Sequence, residues 1–316
     1  MTFPDTQNLI HPSESIASIN VREKLSTNNI QLQSKVLGSG SYSKVRIGHH
    51  QGMGKFVAVK QIDLRQENEY IRRFMPRELK IIEKLKHPNI AEVYQLIRTP
   101  SYVCMIQELA THGDMLKLIK TKKRLDEPES KFLFRQLVEG LKYLDSLKIV
   151  HRDLKCENIL LDEYYNLKIT DFGFARVLKE DEQSYTFCGS RAYVAYEIMT
   201  SKAYRGNGVD IWGSGVILYI MLNGVMPFDD KDIKSLIQHQ QKQKIPFSRK
   251  VSKSAKELIL SMLHPTPTRR ATLNSILASE WLDGTRYFMR GLVEEEETCS
   301  TASLISETQL HRMHDE

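Results

Sequence analysis

From Ile30 the chain alternates apolar and polar residues through IQLQSKVLG (30–38), SKVRIG (43–48) and KFVAVKQID (55–63), with glycine-bearing turns such as QGMG between them. A period of two gives each segment one core face and one solvent face, so the pattern predicts an antiparallel meander. The period changes in EYIRRFMPRELKIIEKLK, where Met75, Leu79, Ile82 and Leu85 recur at three- and four-residue steps and mark an amphipathic helix. Pro76 fits only its first turn or a kink. HPNI ends the helix, and VYQLIR and YVCMIQELA read as two more strands. Five strands and one helix make a small first lobe over residues 30–110.

Beyond THGD (111–114) helical periodicity dominates, in SKFLFRQLVEGLKYLDSL, GVDIWGSGVILYIMLNG, KDIKSLIQHQQK, SAKELILSML and LNSILASEWL. These predict a larger, mostly helical second lobe over 111–282. Residues 1–29, rich in Ser and Asn and without a sustained period, read as a loosely ordered leader. Residues 283–316, with EEEE at 294–297 and a Ser/Thr-rich run, read as a mobile tail. The fold class is therefore α+β, and no internal repeat is visible.

Composition narrows the class further. With 316 residues and 41% hydrophobic content the chain can bury a substantial core. Its 45 Lys and Arg exceed 39 Asp and Glu by only six, and no basic tract of five or more occurs; this suits an anionic ligand and argues against a nucleic-acid partner. Cys104, Cys156, Cys188 and Cys299 are widely spaced with no CxxC pair, so neither a zinc site nor a disulfide framework is suggested and a reducing compartment is the default. The longest apolar run, VILYIML (216–222), is too short to span a membrane, and MTFPDTQN is no signal peptide. Gly does not follow Met1 and no CaaX box ends the chain. The expectation is a cytoplasmic protein with no membrane partner.

Three stretches carry candidate chemistry. LGSGSYSKV (37–45) joins the first two strands, and Gly38 and Gly40 would let a phosphate approach the backbone. A plain hairpin turn reads the same way, since the third glycine of GxGxxG is here Ser43. In FVAVKQI, Ala58 and Lys60 share a strand face, a small residue beside a cation. Lys60 could simply reach solvent, or it could be held by Glu78 on the following helix. HRDLKCENILLD (151–162) crowds charge beside a strand, and KITDFGFAR sets Asp171 at a strand end before Gly173. Asn158 and Asp171 offer hard oxygen ligands to Mg²⁺, with substrate phosphates completing the shell, which leaves Asp153 to act on a proton.

Taken in order and at these distances, GSGSYSKV, VAVK, Glu78, HRDLKCEN, DFG and DIW resemble a eukaryotic protein kinase over residues 31–282, a two-lobed fold. Lys155 of HRDLK resembles the serine/threonine type. TFCGS, MPFDD and HRDLKCEN look most like the testis-specific serine kinase branch of the calmodulin-dependent kinase group.

The resemblance implies transfer of the γ-phosphate of ATP to Ser or Thr of protein substrates, with Mg²⁺ (Mn²⁺ also admissible) as cofactor. It gives Lys60 and Glu78 the α- and β-phosphates, Asn158 and Asp171 the metal, Asp153 the substrate hydroxyl and Lys155 the γ-phosphate. It makes Leu37, Gly38, Ser39, Gly40, Ser41, Tyr42, Ser43, Lys44 and Val45 the loop over the nucleotide. Leu37, Val45, Ala58 and Leu160 would sandwich the adenine, the backbone of Glu108 and Ala110 would bond it, and Asp114 would meet the ribose. Gln107 would guard the back of the pocket. Arg152 implies a phosphate on Thr186, placed by an activating kinase, with Ser184 and Tyr185 as neighbouring acceptors. Glu157 and Asp114 imply a basic residue upstream of the acceptor, while Ile220 occupies the position of a second acid.

Two departures from the family pattern stand out. Ala195, Tyr196 and Glu197 replace Ala-Pro-Glu, leaving Glu197 to pair with Arg270. Gly213 replaces a typical Ser, which would loosen the start of a core helix. The alternative class is a pseudokinase, a binding scaffold without transfer; Lys60, Glu78, Asp153, Asn158 and Asp171 all stand against it.

Overall fold

A computed structural model describes residues 16–40, 43–66, 68–178, 182, 184, 190–204 and 206–291. The chain divides into two compact units, Met1–Pro76 with Glu92–Leu109, and Arg77–Ala91 with Ala110–Glu316.

The first unit opens with helix α1 (Ile16–Ser26) and continues through β1 (Ile30–Ser39), β2 (Ser43–His50) and β3 (Lys55–Asp63). A π-helical turn, Tyr70–Phe74, leads into α2 (Met75–Ile82), within which the division between units falls. β4 (Val93–Arg98) and β5 (Tyr102–Glu108) follow. The five strands form one antiparallel sheet in the order β1-β2-β3-β5-β4. The period-two pattern decides which side chains are covered: Val57 and Val59 of β3 join Ile97, Cys104 and Ile106 in a core closed by Val21 and Leu25 of α1. Ala58 and Lys60 take the opposite face.

α1 departs from the loosely ordered leader expected over 1–29. Among its described side chains the buried stripe is Val21 and Leu25, one helical step of four apart, which is too brief to stand out from Ser- and Asn-rich surroundings. Packing on the sheet supplies what local propensity lacks. Residues 1–15 lie outside the described residues.

In the second unit α3 (Met115–Lys122) and α4 (Glu127–Ser146) precede β6 (Ile149–Val150), β7 (Ile159–Leu161), β8 (Leu167–Ile169) and β9 (Arg176–Val177). β7 pairs with β8 and β6 with β9, both antiparallel. Helices α5 (Tyr196–Met199), α6 (Gly208–Asn223), α7 (Ile233–Gln241), α8 (Lys253–Met262) and α9 (Leu273–Leu277) complete it. α6 is buried on every side from Val209 to Leu222, so its sequence is apolar on all faces, apart from Asp210 and Ser214, instead of striped. Side-chain caps from Asp114, Asp126, Asp232, Ser252 and Thr272 start α3, α4, α7, α8 and α9.

The tail expectation also needs correction at its start. Tyr287 Oη donates to Asn89 Oδ1 at 2.8 Å, Gln136 Nε2 to the Phe288 carbonyl at 2.9 Å, and Arg290 N to Asn166 Oδ1 at 2.8 Å. Met289 is buried, so residues 284–291 form a strap packed on this unit. These bonds come from distant amides, which no local pattern announces. The run EEEE lies outside the described residues. Among them, no helix is long and apolar enough to cross a membrane.

Candidate active site

Asp210, at the third position of α6, is buried and accepts two backbone N–H groups, His151 at 2.7 Å and Arg152 at 2.8 Å. Burial pushes its carboxyl upward, against the pull of His151 and Arg152. These bonds pin the segment between β6 and β7. They also help hold Arg152 at φ 68°, a left-handed conformation that costs a non-glycine residue roughly 1–3 kcal/mol. Asp171 has a left-handed backbone as well, at φ 63°.

From this anchor the charged stretch closes on itself. Asp153 Oδ2 accepts Lys155 Nζ at 2.8 Å and Asn158 Nδ2 at 3.1 Å, while Oδ1 accepts Ser190 N at 3.0 Å. Lys155 Nζ donates also to Ser190 Oγ at 3.1 Å. Asn158 Nδ2 reaches the Asp153 carbonyl at 2.8 Å, so the amide is oriented nitrogen-first toward Asp153. The structure thus brings Asp153, Lys155 and Asn158 together.

β8 delivers the next residues to the same place. Thr170 N donates to the Asn158 carbonyl at 3.0 Å, and the Thr170 carbonyl lies 3.0 Å from His151 Nε2. Because Asp153 N donates to His151 Nδ1 at 3.3 Å, the ring is the Nε2–H tautomer. Phe172 packs edge-on against it, centroids 4.9 Å apart. Asp171 follows Thr170 directly, one residue beyond the bonds to His151 and Asn158. Cys156, buried in the turn Cys156–Asn158, has its thiol pushed up to about 12 by burial and stays neutral.

Arg152 points elsewhere. Its Nε donates to the Phe174 carbonyl at 2.7 Å and Nη1 to Tyr204 Oη at 3.2 Å; Nη2 is buried with no partner among the described residues. Thr186, with Tyr185, lies outside the described residues. Ser184, the other neighbouring acceptor, is buried and bridges to Tyr204 through both backbone groups.

Glu197 and Arg270 form a bidentate pair, Nη1 to Oε1 and Nη2 to Oε2 both at 2.8 Å, and Arg270 lies over the Trp212 ring. Tyr196 occupies the first turn of α5, a position where proline would forfeit no helical hydrogen bond, and Lys202 sits over its ring. Gly213 does not loosen α6, which runs unbroken through it. A Cβ there would stand 3.1 Å from Leu154 Cβ and 3.3 Å from its carbonyl oxygen, so the glycine lets α6 meet the Asp153 segment closely.

In the first unit, Ser39 pairs with Lys44 and Gly38 with Val45, and Gly40 N donates to the Ser43 carbonyl at 2.8 Å. Ser41 and Tyr42 lie outside the described residues. Leu37 is exposed, and a Cβ on Gly38 would touch nothing within 4 Å, so packing does not demand that glycine. Lys60 pairs with Val45 and Met105, Ala58 with Ile47 and Gln107. Glu108 ends β5. In the second unit Glu78 is buried on α2, Ala110 precedes α3, and Asp114 accepts Lys117 N at 2.8 Å and bridges to Leu160. Glu157 is exposed, whereas Ile220 is buried in α6.

Sequence reasoning missed Ser190, Tyr204 and the pinning role of Asp210. Ser190 lies 37 residues from the carboxylate it serves, and a lone Ser in SRAY carries no signal for such a contact.

A protein kinase domain model matches residues 32–282. The chain belongs to the protein kinase family. Among curated relatives it is 40% identical to testis-specific serine/threonine-protein kinase 2 of Mus musculus over 78% of this chain and 71% of the relative. It is 40% identical to testis-specific serine/threonine-protein kinase 3 of Homo sapiens, over 83% and 98%. Serine/threonine protein kinase OSK3 of Oryza sativa subsp. indica is 38% identical, over 78% and 49%. This kinase is of the serine/threonine type and resembles the testis-specific branch; nothing in these likenesses favours a scaffold without activity. Its family uses ATP and Mg²⁺ and acts on proteins.

Proposed function

We propose that Asp153, Lys155, Asn158, Asp171, Lys60 and Glu78 carry phosphoryl transfer from ATP to Ser or Thr hydroxyls in this chain. The observation that supports it most is the arrangement around Asp153. Its carboxylate accepts a lysine, an amide and a backbone N–H at once, which fixes it as a positioned acceptor for a hydroxyl proton.

The donor set suits Mg²⁺. Asn158 spends its amide nitrogen on Asp153, which leaves Oδ1 as its ligating end, and Asp171 adds a carboxylate; hard oxygens with open positions fit a cation that shares its shell with phosphates. Among the described residues no cluster of three His, Cys, Asp or Glu could hold a metal alone, in keeping with a site that nucleotide oxygens complete. Bound there, Mg²⁺ would neutralise phosphate charge, and Mn²⁺ has the same oxygen preference.

The protein's own residues then position more than they react. Lys60, with Glu78 as its counter-charge, holds the α- and β-phosphates, and Lys155 steadies the γ-phosphate while bonded to Asp153. A Cβ on Gly38 would meet none of the described residues within 4 Å, so phosphate oxygens have room at its backbone. Leu37, Val45, Ala58 and Leu160 cover the adenine, Glu108 and Ala110 bond its edge, and Asp114 keeps one carboxylate oxygen for the ribose. Nη2 of Arg152, buried with no partner among the described residues, supports phosphorylation of Thr186 by an activating kinase as the event that satisfies it. Exposed Glu157 supports a preference for one upstream Arg, and buried Ile220 offers no second acid.

ATP-dependent labelling of a Ser/Thr peptide tests this reading. Asp153→Asn is expected to lower turnover by about 10²–10⁴, and Asp171→Asn to abolish it. Equal labelling by wild type and both variants refutes the assignment.

A further inference from the structure

Residues 284–290 run outside the span of the family match and border a groove of about 580 Å³ on the second unit. Pro128, Lys131 and Phe132 of α4 form one wall, Arg286, Phe288 and Arg290 the other. Phe132 and Phe288 are 5.0 Å apart between centroids, and the Arg290 guanidinium lies 4.0 Å over Phe132. The lining is thus an aromatic floor with a cationic rim.

Its one acid, Glu127, attracts Lys131 but offsets only one of the three cations. Glu127 gives Oε1 to Ser252 N at 2.7 Å and Oε2 to Trp281 Nε1 at 3.0 Å. Among the described residues, Lys131, Arg286 and Arg290 make no ion pair; Lys131 and Arg290 rest on aromatic rings instead.

The chain itself carries the complementary charge close by. At Arg290–Gly291 it turns, with Gly291 at φ 84° and so close to Tyr164 that a Cβ would meet the ring at 2.8 Å. Only glycine can turn there. Four consecutive carboxylates, Glu294–Glu297, begin three positions later. Six residues span up to roughly 20 Å, and a tether this short gives an intrachain site a high effective concentration.

We propose that Glu294–Glu297 dock in this groove of their own chain, with carboxylates on Lys131, Arg286 and Arg290. Docking would tighten the strap, whose amide partners Gln136 and Asn89 also hold Leu167 of β8, the strand that leads to Asp171.

Carbodiimide coupling of the full-length protein tests this, because Lys131 is the one amine lining the groove. The expected result is an intrachain Lys131 link to Glu294–Glu297, reduced several-fold in 1 M NaCl, where screening acts within about 3 Å, and in the Arg286→Glu, Arg290→Glu double variant. Absence of the link, links insensitive to salt, or links found only between chains in a mixture of ¹⁵N-labelled and unlabelled protein would overturn it; the last would assign the groove to a second copy. As a check independent of groove variants, replacing all four glutamates by Gln is expected to speed hydrogen exchange of residues 284–291 several-fold, and unchanged exchange refutes docking. Neither readout depends on phosphotransfer.

Discussion

Glu197 and Arg270 are each nearly sealed from water, 3% and 1% exposed at their side chains, and each satisfies the other through two hydrogen bonds. Removing one member strands a charge, so Glu197→Gln is expected to cost about 3–5 kcal/mol in urea unfolding. Glu197→Gln with Arg270→Met should cost less than the two singles added, because the double change leaves no buried charge. An additive double variant would show that the pair is not coupled. Both partners were legible from the motifs, since Glu197 and Arg270 stand at recognisable positions of the sequence. Ser190 was not, because its value lies wholly in meeting Asp153.

At the scale of elements, α6 and α1 make opposite points. Gly213 sits in mid-helix, where propensity alone favours almost any other residue by up to ~1 kcal/mol. Space decides otherwise: Leu154 belongs to a segment pinned at His151, Arg152 and Asp153, so it has little freedom to yield to a Cβ at 3.1 Å. Gly213→Ser is therefore expected to destabilise by about 1–3 kcal/mol, the usual cost of overpacking, and to lower kcat more than it raises KM. A thermal melt with steady-state kinetics checks both, and a stabilised, fully active variant would contradict the packing argument. α1 carries the reverse lesson, a helix that local sequence hardly specifies. Leu25 is fully buried against the sheet, so Leu25→Ala should cost about 2–5 kcal/mol; a loose leader would show almost none in the same unfolding experiment.

For the whole molecule, nucleotide binding should appear as stability. A ligand that binds only the native state at a hundred times its Kd adds about 2.7 kcal/mol. The wild-type melting temperature is therefore expected to rise with ATP plus Mg²⁺, and Asp171→Asn to lose the part of that rise which depends on Mg²⁺. A shift of equal size without the metal, or an unaltered shift in Asp171→Asn, would remove Asp171 from the metal site.

The sequence by itself determined the strand meander, the helical second unit and the membership read from HRDLKCEN, DFG and their neighbours, because periodicity and short motifs are local properties of a chain. Only the tertiary structure decided that residues 16–26 form a covering helix, that 284–291 are strapped down by Asn89, Gln136 and Asn166, and that Ser190 and Asp210 fix the segment from His151 to Asp153. Those outcomes depend on burial and on hydrogen bonds between residues far apart in sequence, whose geometry exists only once the chain has folded.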